Sequence, residues 1–224
     1  MKQFVMKRWI CAVASSALLM ASLTACVPLV IGGAAAGGTL VITDRRTSGA
    51  QLEDEGIELR ASSRLRNALG ERAHVNLTSY NRQVLLTGEV PTQQDKQLVE
   101  QIVSRVENVA GVVNELAVLG NATLTQRSSD VLVTGRVKAA LIDAPDLSAN
   151  AFKVVTERGT TYLMGRVTQR EADRATNLVR ATPGVQKVVR IFEVISEEEL
   201  ARMLPARTPP SPAPAPATPG STTN

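Results

Sequence analysis

Apolar positions fall into short blocks with two different periods. Ile57, Ala61, Leu65 and Ala68 recur at steps of four, four and three, which places them on one face of a helix. Residues 74–80 then alternate, with Val75 and Leu77 pointing to one side as in a half-buried strand. Asn81-Arg82 marks a turn, and 84–90 reads as a second strand. A polar amphipathic stretch follows in which Leu98, Ile102, Val103 and Val106 form the apolar face, and 112–119 reads as a third strand. The order helix, strand, strand, helix, strand predicts an α+β unit, a three-stranded sheet with two helices on one face.

The same order occurs twice. VNLTSYNRQVLLTGEVPTQQDKQLVEQIVSRVENVAGVVNELAVL (75–119) aligns with FKVVTERGTTYLMGRVTQREADRATNLVRATPGVQKVVRIFEVI (152–195). Gly88 meets Gly165 and Val90 meets Val167 at an offset of 77, whereas Val109, Val112 and Val113 meet Val185, Val188 and Val189 at an offset of 76. A single deletion near Asp95 reconciles the two. Upstream, RLRNAL (64–69) pairs with RVKAAL (136–141), so the second copy is expected to carry a few extra residues around DAPDLSAN. In this register Ala61 matches Val133, and Leu132 stands where the first copy has Arg60. The second copy turns at Arg158-Gly159, where glycine accepts a positive φ. Two tandem domains are therefore expected over 48–119 and 128–196, joined by a linker over 120–127 short enough to hold them together.

The chain ends differ from this core. Lys2, Lys7 and Arg8 precede an apolar run from Trp9 to Met20, and no charge follows before Asp44, which is the layout of a secretory signal. The run ends in Leu23-Thr24-Ala25-Cys26, which resembles the bacterial lipobox. That resemblance implies removal of residues 1–25 and acylation of Cys26; an uncleaved N-terminal anchor is the alternative. Residues 27–42 hold four glycines in sixteen positions, shorter than the ~20 apolar residues that span a bilayer, so 26–47 reads as a Gly/Ala-rich tether, with a small-residue helix packed on a partner as the alternative. At the other end Ser196 is placed to cap a short helix begun by Glu197, Glu198 and Glu199. Residues 205–224 are Pro-rich and expected to be disordered.

Removing the signal changes the charge argument. The full chain is +4 with a pI near 9.4, but without Lys2, Lys7 and Arg8 it keeps 22 basic against 21 acidic side chains. Global basicity is then no evidence for nucleic acid, and only Tyr80, Phe152, Tyr162 and Phe192 remain as aromatics for stacking. With Cys11 removed and Cys26 acylated, no thiol is left for a disulfide or a metal. His74 is the single histidine and reads as a half-exposed strand residue, so neither a catalytic base nor a metal set is expected. GGAAAGG lacks the Gly-Lys-Ser/Thr of a phosphate loop. The acidic run Glu53, Asp54, Glu55 and Glu58 is expected to favour the dipole of the first helix.

Three segments carry a family resemblance: LLTGEV (85–90), YLMGRV (162–167) and TPGVQKV (182–188). A strand ending in Leu-x-Gly-x-Val, a polar helix, then Pro-Gly-Val-x-x-Val resembles the BON domain of bacterial envelope proteins. The first copy has VENVAGV and lacks the Pro-Gly pair, which leaves its turn geometry open. A lipobox followed by two such domains is similar to the dual-BON outer-membrane lipoproteins, over roughly residues 20–196. The resemblance implies a lipid-anchored protein on the periplasmic face of the outer membrane, with no enzymatic activity and no cofactor. It further implies binding of anionic phospholipid through the second domain in support of outer-membrane integrity.

The residues themselves bear on that expectation. Residues 48–119 hold 7 basic and 10 acidic side chains, whereas 128–195 hold 10 basic and 7 acidic, and a basic residue near an anionic surface contributes about 1 kcal/mol. On a helix over 130–142, Val133, Val137 and Ala140 are expected to face the core. Leu132 faces outward, with Arg136 one turn on and Lys138 beside it, the combination of apolar wedge and cations that suits a membrane surface. The candidate phospholipid-binding residues are Val131, Leu132, Gly135, Arg136 and Lys138. Two alternatives stand beside them: Leu132 packs on the first domain, or the protein is a periplasmic adaptor for an outer-membrane or division-associated complex.

Overall fold

The computed structural model describes residues 44–203, except 71 and 121. The signal, the tether with Cys26 and the Pro-rich tail lie outside the described residues.

Helix α1 (Ser48–Leu69) begins at Thr47, whose side chain accepts a hydrogen bond from the Ala50 amide, and buries Ile57, Ala61, Leu65 and Leu69. The last core position is therefore Leu69; Ala68 is exposed. Strand β1 (His74–Tyr80) pairs antiparallel with β2 (Gln83–Val90) through a turn in which Asn81 and Arg82 both take positive φ. Helix α2 (Gln93–Ser104) buries Val99 and Val103 and leaves Leu98 at the surface, one position away from the expected contact. The third strand is broken: β3 (Gly111–Asn114) and β4 (Ala117–Val118) both run parallel to β2, and between them Leu116 turns into the core.

The second copy repeats this plan. Helix α3 (Leu124–Asp143) starts with a Thr123–Gln126 capping box, so residues 124–127 of the expected linker form its first turn. Strand β5 (Phe152–Glu157) pairs antiparallel with β6 (Thr160–Thr168). Helix α4 (Gln169–Arg180) has its own capping box from Thr168 and Glu171. Strand β7 (Lys187–Ile195) runs unbroken and parallel to β6. A short helix α5 (Glu197–Met203) follows, and the Ser196 hydroxyl accepts from the Glu199 amide.

Matching the two helices by structure corrects the sequence register. Thr47 and Thr123 both cap, Asp54 and Asp130 are both buried, and Ile57, Ala61 and Leu65 match Val133, Val137 and Leu141. The true pairing of the first helices is thus one turn away from RLRNAL–RVKAAL. Arg60 corresponds to Arg136, Leu132 corresponds to Gly56, and Leu141 takes the buried place expected of Ala140. A four-residue slip rotates a helix by only about 40°, so apolar spacing alone tolerates it. Two single-residue adjustments suffice, one before β5 and one at Pro91, because Val90 matches Val167 and the cap Thr92 matches Thr168. The turn left open in the first copy is also settled: Asn108 has φ 67° where Gly184 has φ 98°, and asparagine tolerates that region better than most residues.

Each sheet is covered on both faces. Helices α1 and α2 close a core around Ile57, Leu65, Leu86, Val99 and Val103, and α3 and α4 close a second around Val137, Leu141, Leu163 and Val179. The opposite faces meet each other through Tyr80, Leu85, Tyr162 and Met164, flanked by Val113, Val155, Val189 and Ile191. Leu85 and Leu86 go to different cores because successive strand residues point to opposite faces. The result is four layers, helices, sheet, sheet, helices. Gly88 and Gly165 are required where the chain crosses closely, since a Cβ there would strike the carbonyl of His74 or of Ala151.

Candidate functional site

The outward face of α3 carries four large apolar side chains in water: Leu124 is 80% exposed, Val131 70%, Leu132 61% and Ile142 70%. Val133, Val137 and Leu141 occupy the opposite face in the core. The matching positions of α1 are Ser48, Glu55, Gly56 and Arg66. Helix α1 also exposes Leu52 and Leu59, but sets Glu55 between them. Gly135 sits in the middle of the α3 face with open space above it, and Lys138 is exposed with no partner among the described residues. Arg136 differs from the other four candidates. Its Nη1 donates to the Pro183 carbonyl at 3.4 Å, as Arg60 Nη2 does to the Glu107 carbonyl at 3.4 Å, so the pair is a repeated brace between the first helix and the last turn of each domain. Sequence reasoning missed Leu124, which it placed in the linker, and Ile142, which it took as a helix end. Their spacing of seven residues on either side of the pair Val131 and Gly135 was the available signal.

Each domain holds its first hairpin with a buried aspartate. Asp54 accepts from the Ser79 hydroxyl at 2.6 Å and from the amides of Asn81 and Arg82 at 2.7 and 2.8 Å. Asp130 accepts from the amides of Arg158 and Gly159 at 2.8 and 2.9 Å. This corrects the expectation for the acidic run: α1 starts at Ser48, its first turn has no acid, and Asp54 is a turn clamp. Burial pushes its pKa up, but the Ser79, Arg82, Arg46 and Asn81 donors outweigh that and hold it below the ordinary value. Glu53 instead pairs with Arg60 and Asn108, and Glu58 with the Ser79 amide and Lys153.

A polar seam crosses between the domains at the hairpin ends. Glu89 is fully buried, 3.4 Å from both His74 Nδ1 and Arg158 Nη1. Beside it, Glu157 accepts from Asn76 Nδ2 at 2.9 Å. Burial raises the Glu157 pKa, and the negative charges of Glu89 and Asp130 add to that while Asn76 and His74 oppose it. A carboxyl with a raised folded-state pKa contributes stability at low pH that is lost as pH rises through that value. Glu157→Gln is therefore expected to raise the melting temperature at neutral pH and to leave it unchanged in acid below the ordinary carboxylate range. Thermal melts of both proteins across pH check this, and a variant that melts lower at neutral pH would contradict the burial reading.

The segment before α1 is tied to both domains. Arg45 makes a bidentate pair with Glu171 at 2.7 Å for each bond, also donates to the Arg166 carbonyl, and is 4% exposed, as is Glu171. Arg46 pairs with Asp44 and Asp54 and lies over the Tyr80 ring. Asp44 and Arg46 then share a hollow with Lys138 and Ile142 of α3, so the chain enters the folded body beside the C-terminal half of α3. Among the described residues no helix is long and apolar enough to cross a membrane.

Comparison with known proteins gives a family-model match to the BON domain over residues 53–120 and 129–196. Outer membrane lipoprotein DolP of Haemophilus influenzae is 35% identical over 175 residues, which cover 77% of this chain and 90% of that one. A 21 kDa hemolysin of Actinobacillus pleuropneumoniae is 30% identical over 154 residues, covering 68% and 79%. Among solved structures, CdsD of the Chlamydia trachomatis type III secretion system covers 66% of this chain at 14% identity and a TM-score of 0.25.

Proposed function

This chain belongs to the BON-domain family as an outer-membrane lipoprotein with two such domains, and from that premise we propose that its second domain binds anionic phospholipid through the outward face of α3. The family is non-enzymatic, so the work of the fold is to hold a surface. The observation that carries the reading is the set Leu124, Val131, Leu132 and Ile142, all exposed on one helix at positions where the first copy has Ser48, Glu55, Gly56 and Arg66. Three of these exchanges replace a polar side chain and one a glycine, while the exposed Leu52 and Leu59 of the first copy give way to Ser128 and Gly135. The second helix therefore carries a different and larger exposed apolar set, which the core does not require. Lys138 supplies positive charge at that face, and Arg136 adds to it from the Pro183 side. Entry of the lipid-anchored segment beside Ile142 lets the anchor and α3 reach the same bilayer.

Co-sedimentation of the full-length protein with vesicles tests this. Wild type is expected to bind phosphatidylglycerol vesicles more strongly than phosphatidylcholine vesicles, and less strongly as salt rises, since only the charged part is screened. Leu132→Glu removes an apolar contact and adds a charge that the lipid repels. Together these weaken binding by about 2–4 kcal/mol while thermal stability stays nearly unchanged. Undiminished binding by Leu132→Glu would remove α3 from the contact. A collapse in stability would instead mark Leu132 as packed against another part of the protein and favour the adaptor reading.

A further inference from the structure

Alongside the outward face of α3 runs a groove between the two domains. One stretch, of about 520 Å³, lies between β1, α3 and β5 and is lined by Leu77, Val131, Val154, Arg127, Asp130 and Glu157. The next, of about 560 Å³, lies between the segment before α1 and the end of α3, and Val154 lines both. Both sizes fall within the range of small-molecule sites.

The charges in the first stretch are almost all engaged. Asp130 spends both oxygens on the Arg158 and Gly159 amides. Glu157 is held by Asn76, and burial favours its neutral form. His74 faces Glu89. His74 Nδ1 is buried without a hydrogen bond, but a carboxylate stands against it; Arg127 has none. Its Nε is buried with no hydrogen-bond partner, and its side chain has no ion-pair partner among the described residues. It also sits in the first turn of α3, where the helix dipole disfavours a cation. An arginine kept there without a carboxylate leaves a positive site at the head of an apolar groove. Val131 belongs both to that groove and to the outward face of the helix.

We propose that this groove holds one anionic phospholipid drawn from the bilayer, its phosphate on Arg127 and the first methylenes of its chains against Leu77, Val131 and Val154. The inference rests on the membrane reading of α3, but it concerns a single bound molecule rather than adsorption to a surface. A guanidinium suits the phosphate because its fixed donors can bond two oxygens at once. Apolar walls suit the adjoining methylenes, each contributing on burial.

The lipidated full-length protein in mild detergent, offered equal amounts of phosphatidylglycerol and phosphatidylethanolamine with short chains, provides the test. Bound lipid is counted by native mass spectrometry. Wild type is expected to retain a single phosphatidylglycerol in preference to phosphatidylethanolamine. Arg127→Gln should lower that retention about tenfold, and Arg127→Lys should restore part of it. Leu132→Glu should keep the bound lipid while losing vesicle binding, which separates this site from the surface contact. Equal retention of the two lipids, or full retention by Arg127→Gln, overturns the proposal. So does complete displacement by inorganic phosphate, which would mean that the groove recognises the phosphate alone. If Arg127→Gln melts early, Arg127→Lys decides, since loss of lipid from a stable lysine variant at the level of the glutamine variant would exclude a charge-based site.

Discussion

Val137→Glu is expected to unfold the second domain. Val137 is fully buried between α3 and the sheet, in an apolar cluster with Leu141, Leu163 and Val179. A carboxylate placed there must either remain charged without a counter-ion or bind a proton at a cost in free energy. Either route, added to the loss of the valine contacts and the extra volume, exceeds about 4 kcal/mol. Circular dichroism melts and limited proteolysis should show a domain without a cooperative transition at ambient temperature. The contrast with Leu132→Glu is the informative part: the same new side chain, five positions away on the same helix, should leave the melt nearly unchanged. If Val137→Glu melts like wild type, α3 does not turn Val137 into the core, and the assignment of its outward face falls with it.

Asp54→Ala is expected to cost about 3 kcal/mol, which for a body of this size lowers the melting temperature by roughly 10 °C. The substitution strands the amides of Asn81 and Arg82 and the hydroxyl of Ser79, and leaves Arg46 with the Asp44 carboxylate and the Tyr80 ring. Those two amides belong to residues at positive φ, 49° and 68°, so the clamp also holds the turn in a conformation that non-glycine residues disfavour. Asp54→Asn should fare little better, because its amide nitrogen cannot accept a hydrogen bond. The pH dependence has a definite sign. Asp54 has a folded-state pKa below its ordinary value, so its contribution is complete above the ordinary carboxylate range and is lost as pH falls through and below it. The gap between wild type and Asp54→Ala should therefore close in acid, and a gap that stays constant across pH would mean that the turn is held by packing rather than by the charge.

Much of this was legible in the chain. Alternation over 74–80, the Gly88–Gly165 and Val90–Val167 matches and the polar second helix determine the element order and the duplication, because strand period and close glycine crossings leave strong marks. The helix register was not legible, since Ile57, Ala61 and Leu65 fit Val133, Val137 and Leu141 nearly as well after a slip of one turn. Buried Asp54 and Asp130 would have fixed it, but an aspartate on an apolar face reads as surface until the turn that it clamps is known. The outward placement of Val131, Leu132 and Lys138 was readable from their position against the core face of the helix. Arg136 looked the same from sequence, and only its bond to the Pro183 carbonyl marks it as a brace. The placement of Arg127 in a groove carried no sequence signal, because the β1 wall of that groove belongs to the other domain.

The back-to-back sheets set limits on how such a protein can be cut or recombined. Severing the chain between residues 119 and 124 would turn Tyr162, Met164, Val155, Val189 and Ile191 of one half, and Tyr80, Leu85 and Val113 of the other, toward water. Contiguous apolar faces of that kind drive association, so a half produced alone is expected to aggregate or to recruit chaperones. A deletion that removes the first domain would then report the solubility of what remains, whatever ligand the first domain has. Chimeras between relatives should succeed when the two copies travel together and fail when one is exchanged, unless its facing residues are exchanged with it. The duplication produced two folds, but what selection can move between proteins is the pair.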